Sequence, residues 1–181
     1  FEKFINNEEI DTPDLIKIAI LHYQFESIHP FLDGNGRIGR LLIPLYIQSK
    51  GMIEKSCLYI SDYIERNKDT YYDMLTRVRI HNDMIGWIKF FLEAVIETSK
   101  TAKEKFRNVV ELTMEMDKVI MDLSVKPENA RKVLDVLYDE PIISRKKILE
   151  KVDIKPTTLN VTVNSLQERG IIQETTGYSR N

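Results

Sequence analysis

Twelve consecutive residues, His29-Pro30-Phe31-Leu32-Asp33-Gly34-Asn35-Gly36-Arg37-Ile38-Gly39-Arg40, gather an imidazole, a carboxylate, a glycine-rich turn and two guanidiniums. An imidazole with its ordinary pKa near ~6.5 is largely neutral at pH 7 and can accept a proton without special tuning. A helical apolar pattern starts inside this run, with Ile38, Leu41, Leu42 and Leu45 at i, i+3, i+4 and i+7. The turn therefore sits at a helix N-terminus, where unpaired N–H groups and the positive end of the dipole attract anions. Arg37 and Arg40 reinforce that attraction and read together as a phosphate clamp. The chemistry on offer is phosphate binding with a base beside it.

Duller readings of the same run are weaker. Asp33-Gly34 and Asn35-Gly36 could be hairpin turns, but the 3.6-residue period that follows argues against a second strand. A calcium loop starting at Asp33 would place Arg37, Ile38 and Pro44 where oxygen ligands, glycine and glutamate belong. The Gly-x-x-x-x-Gly-Lys spacing of a Walker loop is absent. Phe31 is expected to anchor the loop in the core. His22 and His81 read as structural or surface residues, and Tyr71 and Tyr72 as packing residues more readily than ligands.

The elements that must position this run are helical. Thr12-Pro13-Asp14 reads as an N-cap, a first-turn proline and a dipole-matched acid. Leu15, Ile18, Ala19, Leu21 and Phe25 supply the buried face of that helix, which ends near Ile28–His29 ahead of Pro30. A second helix runs from about Gly36 to Ser49 and is closed by Gly51, with Pro44 expected to kink it or cost a hydrogen bond. Leu58, Tyr59 and Ile60 read as extended before a short helix from Ser61. Asn67 caps the helix of Tyr71, Met74, Leu75 and Val78. Asp83 caps another, with Ile85, Ile88, Phe91, Leu92 and Val95 on its buried side. From Lys100 to Leu123 the pattern stays helical and reads as a long link between two units.

Beyond Pro127 the rhythm shortens. Ala130, Val133, Leu134 and Leu137 mark one helix, Ser144 caps a second, and Pro156-Thr157-Thr158 opens a third that Gly170 ends. Ile171–Thr175 reads as a strand. Three short helices and a strand are similar to a winged helix-turn-helix with an incomplete wing. Residues 128–181 hold nine Lys and Arg against eight Asp and Glu, a difference of only +1. Lys146, Lys147 and Lys151 are the candidates for phosphate contacts.

The whole chain of 181 residues carries a net charge of −2 and 43% hydrophobic residues, composition suited to a packed core and not to a globally basic nucleic-acid binder. Its single cysteine, Cys57, fits a reducing compartment, so a cytoplasmic protein is expected. No apolar run approaches the roughly 20 residues a membrane-spanning helix needs. The chain opens on Phe1, not methionine, and reads as a fragment.

At every defined position the twelve-residue run resembles the Fic signature His-x-Phe-x-[Asp/Glu]-Gly-Asn-[Gly/Lys]-Arg-x-x-Arg. The likeness extends from about Phe4 to Phe91 and takes in Glu65-Arg66-Asn67 and Tyr71-Tyr72. It implies a mainly α fold, a Fic-type helical bundle at 1–99, a linker helix at 100–127 and a winged-helix segment at 128–181. It also implies a protein adenylyltransferase that moves AMP from ATP to a Ser, Thr or Tyr hydroxyl of a target protein. In that reading His29 is the general base and Asp33 holds Mg²⁺ against the nucleotide. Gly34, Asn35 and Gly36 cradle the phosphates, with Asn35 on the α-phosphate, and Gly39 counts among the nucleotide-binding residues. Arg37 and Arg40 neutralise the departing phosphates, and Tyr71 and Tyr72 line the adenosine pocket. Glycine at position 36, where some relatives carry lysine, favours AMP transfer over phosphate transfer.

Two features usual in the family are missing from this sequence: an upstream β-hairpin flap, and a [Ser/Thr]-x-x-x-Glu-[Gly/Asn] inhibitory helix, which Ser61–Arg66 fails to match at its last position. The alternatives are a nucleotide-sensing transcriptional regulator whose tail binds DNA, or the same site removing AMP. Self-association into a homodimer is left open.

Overall fold

The computed structural model describes residues 2–7, 11–55, 58–175 and 177. Cys57, on which the redox argument turns, lies outside them. Among the described residues the chain forms nine helices and no strand: α1 (Glu2–Ile5), α2 (Asp14–Ile28), α3 (Asn35–Ser49), α4 (Ile60–Arg66), α5 (Lys68–His81), α6 (Met84–Met121), α7 (Pro127–Asp139), α8 (Arg145–Lys151) and α9 (Pro156–Glu168). Two compact units divide it, Phe1–Arg107 and Asn108–Asn181. Among the described residues no helix is long and apolar enough to cross a membrane.

In the first unit α2 and α3 pack around Ile18, Ala19, Leu21, Ile43, Tyr46 and Ile47, and the start of α6 adds Trp87, Phe90, Phe91, Ala94 and Val95. The polar tips of these aromatic side chains find partners, as buried tips must. The indole N–H of Trp87 donates to the Ala19 carbonyl at 2.8 Å, and the Tyr46 hydroxyl donates to Asp14 at 2.7 Å. Helix α3 runs unbroken through Pro44 and ends in a Schellman arrangement. Gly51, at φ +69°, donates to Gln48, and Met52 donates to Ile47.

Three local expectations for this unit change. Thr12 stands one residue outside the cap of α2: Pro13 holds the N-cap, and its carbonyl accepts from Ile16 and Lys17. Ile60 already belongs to α4, so the extended piece is shorter. Ile85 is 69% exposed, because Trp87 and Phe91 claim the buried stripe of α6 and rotate Ile85 outward. Asp83 does cap that helix, its carboxylate accepting from the Gly86 N–H at 2.9 Å.

In the second unit α7, α8 and α9 surround Ala130, Val133, Leu134, Ile148, Leu159, Val163 and Leu166, with Ile120 from the end of α6. Ser144 caps α8 by accepting from Lys147. Gly170, at φ +74°, terminates α9 with the same paired bonds seen at Gly51. The expected strand at Ile171–Thr175 does not form. With no partner strand among the described residues, its backbone has no ladder to join, and Ile171 and Ile172 pack against the unit's core instead.

Candidate functional site

The loop between α2 and α3 is built by opposing terminators. His29 caps α2 in the left-handed region, φ 50° and ψ 57°, its N–H still bonded to the Phe25 carbonyl at 3.0 Å. A histidine there costs about 1–2 kcal/mol, a strain the surrounding structure must sustain. Gly34 then caps α3 at φ +81°, a conformation that favours glycine. The first bond of α3 runs from the Ile38 N–H to the Gly34 carbonyl at 3.0 Å. The N–H groups of Asn35, Gly36 and Arg37 precede it and are the donors a bound anion would meet.

Asn35 fastens this loop. It is 2% exposed. Its Oδ1 accepts from the Phe31 N–H at 2.9 Å, and its Nδ2 donates to the Phe31 carbonyl at 2.6 Å. That pair of hydrogen bonds to one residue fastens the bend between the helices. One Nδ2–H and Oδ1 of the amide are thus engaged by the main chain, and the backbone N–H of Asn35 stands free at the start of α3 for a phosphate. The expected role of Phe31 is corrected. Its ring is 50% exposed and leans on Phe25, so the loop is anchored through the main chain of Phe31 and not through its side chain.

The charged groups lie where ligands could reach them. Asp33 and Arg37 are largely exposed and face each other loosely at 3.7 Å. Arg40 is partly buried and curls back over the first turn, its Nη1 3.2 Å from where a Cβ on Gly36 would stand. Gly36 therefore leaves room for that guanidinium. Gly39 serves a different purpose. A Cβ there would fall 2.2 Å from Glu26 Oε1 and 3.0 Å from Phe25, so glycine is what lets α2 and α3 approach. Burial raises the Glu26 carboxyl above the usual carboxylate range, against the opposing pull of Arg40 and His29.

Beneath the loop lies His22, a structural residue as its place outside the motif suggests. His22 is completely buried, with Nδ1 3.0 Å from the Gly39 carbonyl and Nε2 3.0 Å from the Tyr71 hydroxyl. Burial pushes its pKa down to about 4, partly offset by the bond to Gly39 and assisted by the charge of Arg40. The ring is therefore neutral at pH 7. A carbonyl can only accept, so Nδ1 carries the proton and Nε2 accepts from Tyr71. The available signal was its position on the apolar stripe of Ile18 and Phe25, a polar residue facing the core.

This arrangement assigns the tyrosines. Tyr71 is 2% exposed, packed against His22, Trp87 and Phe90, with its hydroxyl engaged. Burial raises its pKa. Through His22 it supports α3 from below. Tyr72 is exposed and meets Tyr71 edge-on at 5.3 Å. Among the described residues no cluster of three or more metal-binding side chains exists. Asp33 alone suits Mg²⁺, which is commonly held by one or two carboxylates and the substrate's own phosphates.

Residues 1–47 match the profile of the Fic/DOC family, and residues 127–173 match a winged helix-turn-helix DNA-binding family. A protein adenylyltransferase Fic from Drosophila erecta is 29% identical over 99 residues, which make up 54% of this chain and 19% of that protein. The corresponding protein of Drosophila yakuba is 32% identical over 103 residues with the same shares. A probable protein adenylyltransferase of Aquifex aeolicus is 43% identical over 51 residues, 28% of this chain and 15% of the relative. The chain thus spans less than a fifth of the length of these relatives.

Proposed function

From a chain whose residues 1–47 match the Fic/DOC family and whose residues 127–173 match a winged helix-turn-helix DNA-binding family, we infer a protein adenylyltransferase with an appended DNA-docking unit. The observation that carries the first half is the loop itself. An imidazole on a strained left-handed backbone, His29, and an open helix N-terminus starting at Asn35 stand at the two ends of one bend tied by Asn35 to Phe31.

In this reading the triphosphate of ATP lies across the first turn of α3. The N–H groups of Asn35, Gly36 and Arg37 meet its oxygens, and Arg37 and Arg40 offset the charge that grows on the departing pyrophosphate. His29 takes the proton of a target hydroxyl. The hydroxyl oxygen forms a bond to the α-phosphorus as the α–β bridging bond breaks. Asp33 would hold Mg²⁺, which supplies further charge neutralisation to the phosphates. Phosphoryl-type transfer needs in-line placement and charge neutralisation more than covalent help, and the N–H groups and cations of this loop suit the second of these needs. Preorganised donors of this kind are each worth roughly 3–4 kcal/mol by analogy with oxyanion holes.

The test is incorporation of labelled AMP into protein substrates, with ATP binding measured in parallel. His29→Ala is expected to lose at least ~100-fold in transfer while still binding ATP. Transfer at the parent rate would remove His29 as the base. Mass spectrometry of a modified target should show added AMP, and added phosphate alone would overturn the reaction class.

The second half rests on α7–α9, where α9 occupies the position of a recognition helix. Lys146, Lys147, Lys155 and Arg169 are exposed on α8 and around α9 and suit phosphate contacts. Salt-sensitive retention of duplex DNA on a filter tests this reading separately from catalysis.

A further inference from the structure

Arg145, the first residue of α8, reaches across to three side chains of α9. Its Nη1 donates to Asn160 Oδ1 at 3.1 Å, and its Nη2 donates to Asn164 Oδ1 at 3.1 Å and Gln167 Oε1 at 3.2 Å. Asn160, Asn164 and Gln167 stand at i, i+4 and i+7, one stripe of the helix. A guanidinium has donors and no acceptor, so the amide oxygens are the atoms that must face it. The nitrogen of each amide is then the free branch.

Asn160 and Asn164 are exposed, and beside them on the same solvent face lie Thr157 and the methyls of Val161. An asparagine reads adenine by offering both its oxygen and its nitrogen to one base edge. Once the oxygen is committed to Arg145, that pairing is disfavoured. What is left is a line of N–H donors, and guanine presents two adjacent acceptors, O6 and N7, in the major groove. Thymine adds an O4 acceptor and a methyl that suits Val161.

We propose that Arg145 is the positioning residue of a base-reading face on α9, turning Asn160 and Asn164 into donors that select guanine- and thymine-bearing edges of duplex DNA over adenine. The proposal rests on the reading of α7–α9 as a DNA-docking unit and adds what that unit reads. Exposed lysines such as Lys146 and Lys147 provide sequence-independent attraction, while the Arg145 cluster supplies discrimination.

The experiment selects duplexes from a random pool with the full chain, then compares the selected duplex with a scrambled one by filter binding at graded salt. Sites carrying guanine and thymine contacts are expected. Arg145→Ala should lose roughly tenfold to hundredfold of the preference for the selected duplex, with affinity for the scrambled duplex falling only slightly. Asn164→Asp, which keeps an acceptor for Arg145 but has no donor to offer, should lose the preference too. It serves as the second readout should Arg145→Ala unfold. Lys146→Ala should weaken both duplexes alike and reduce the salt slope by about one phosphate contact. An unchanged preference in Asn164→Asp, or loss of the preference when 7-deazaadenine replaces adenine in the selected A·T pairs, would overturn the donor face while leaving DNA docking intact. Absence of any salt-sensitive duplex binding by the parent chain would remove the docking reading and this proposal with it.

Discussion

The Tyr71 hydroxyl donates to His22 Nε2 across 3.0 Å, and the opposite nitrogen of that same ring holds the Gly39 carbonyl at 3.0 Å. One neutral imidazole thus couples α5 to the first turns of α3, directly beneath the proposed phosphate site. The loop's geometry depends on this buried chain as much as on the motif residues above it.

Tyr71→Phe keeps the ring and removes the donor. It leaves Nε2 buried without a partner, which costs about 1–3 kcal/mol. Chemical denaturation monitored by Trp87 fluorescence should record a loss of that size. An unchanged midpoint would mean that the hydroxyl contributes nothing.

The low pKa of His22 makes stability pH-dependent. Above its unfolded pKa of about 6.5 both states are neutral there, and stability is complete. As pH falls through that value the unfolded chain binds a proton that the folded chain, with a pKa of about 4, does not accept. Stability drops across this window by about 3 kcal/mol in total. Denaturation between pH 7 and 4 should show His22→Gln losing less stability over the window than the parent. Parallel curves would contradict the buried, neutral histidine.

Gly39→Ala would ordinarily help a helix by up to ~1 kcal/mol. Here its Cβ meets Glu26 Oε1 and Phe25, and overpacking costs about 1–3 kcal/mol. We expect net destabilisation, partly relieved when Glu26→Ala is added. A double-mutant cycle measures the coupling, and simple additivity would argue that the two side chains do not compete for this space.

Asn35→Ala removes two hydrogen bonds that tie the bend to Phe31. Each is worth about 0.5–1.5 kcal/mol net, so a loss of about 1–3 kcal/mol should appear in thermal unfolding. AMP transfer should fall with it, because the N–H groups at the start of α3 lose their register. Full transfer in a destabilised Asn35→Ala protein would show that the bend need not be fastened for chemistry.

Local signals made much of this molecule legible from its residues. Pro30 after His29, Gly34 before α3, Asp83 and Ser144 as caps, and Gly51 and Gly170 as terminators act within a turn of themselves, so their types alone set helix limits. The same holds for the spacing of His29, Asp33, Arg37 and Arg40. What depends on partners distant in sequence was decided only by packing. The Asn35 amide does not announce its partner, and folding brings the Phe31 main chain within reach of it. The phenol of Tyr71 likewise finds its partners, His22 and Trp87, only through packing. The larger aromatics of α6 turn Ile85 to water, and Ile171–Thr175 lacks the neighbour a strand requires. Short-range stereochemistry is written into residue type, whereas the direction a polar side chain takes is chosen by which distant donor or acceptor the fold brings within 3 Å of it.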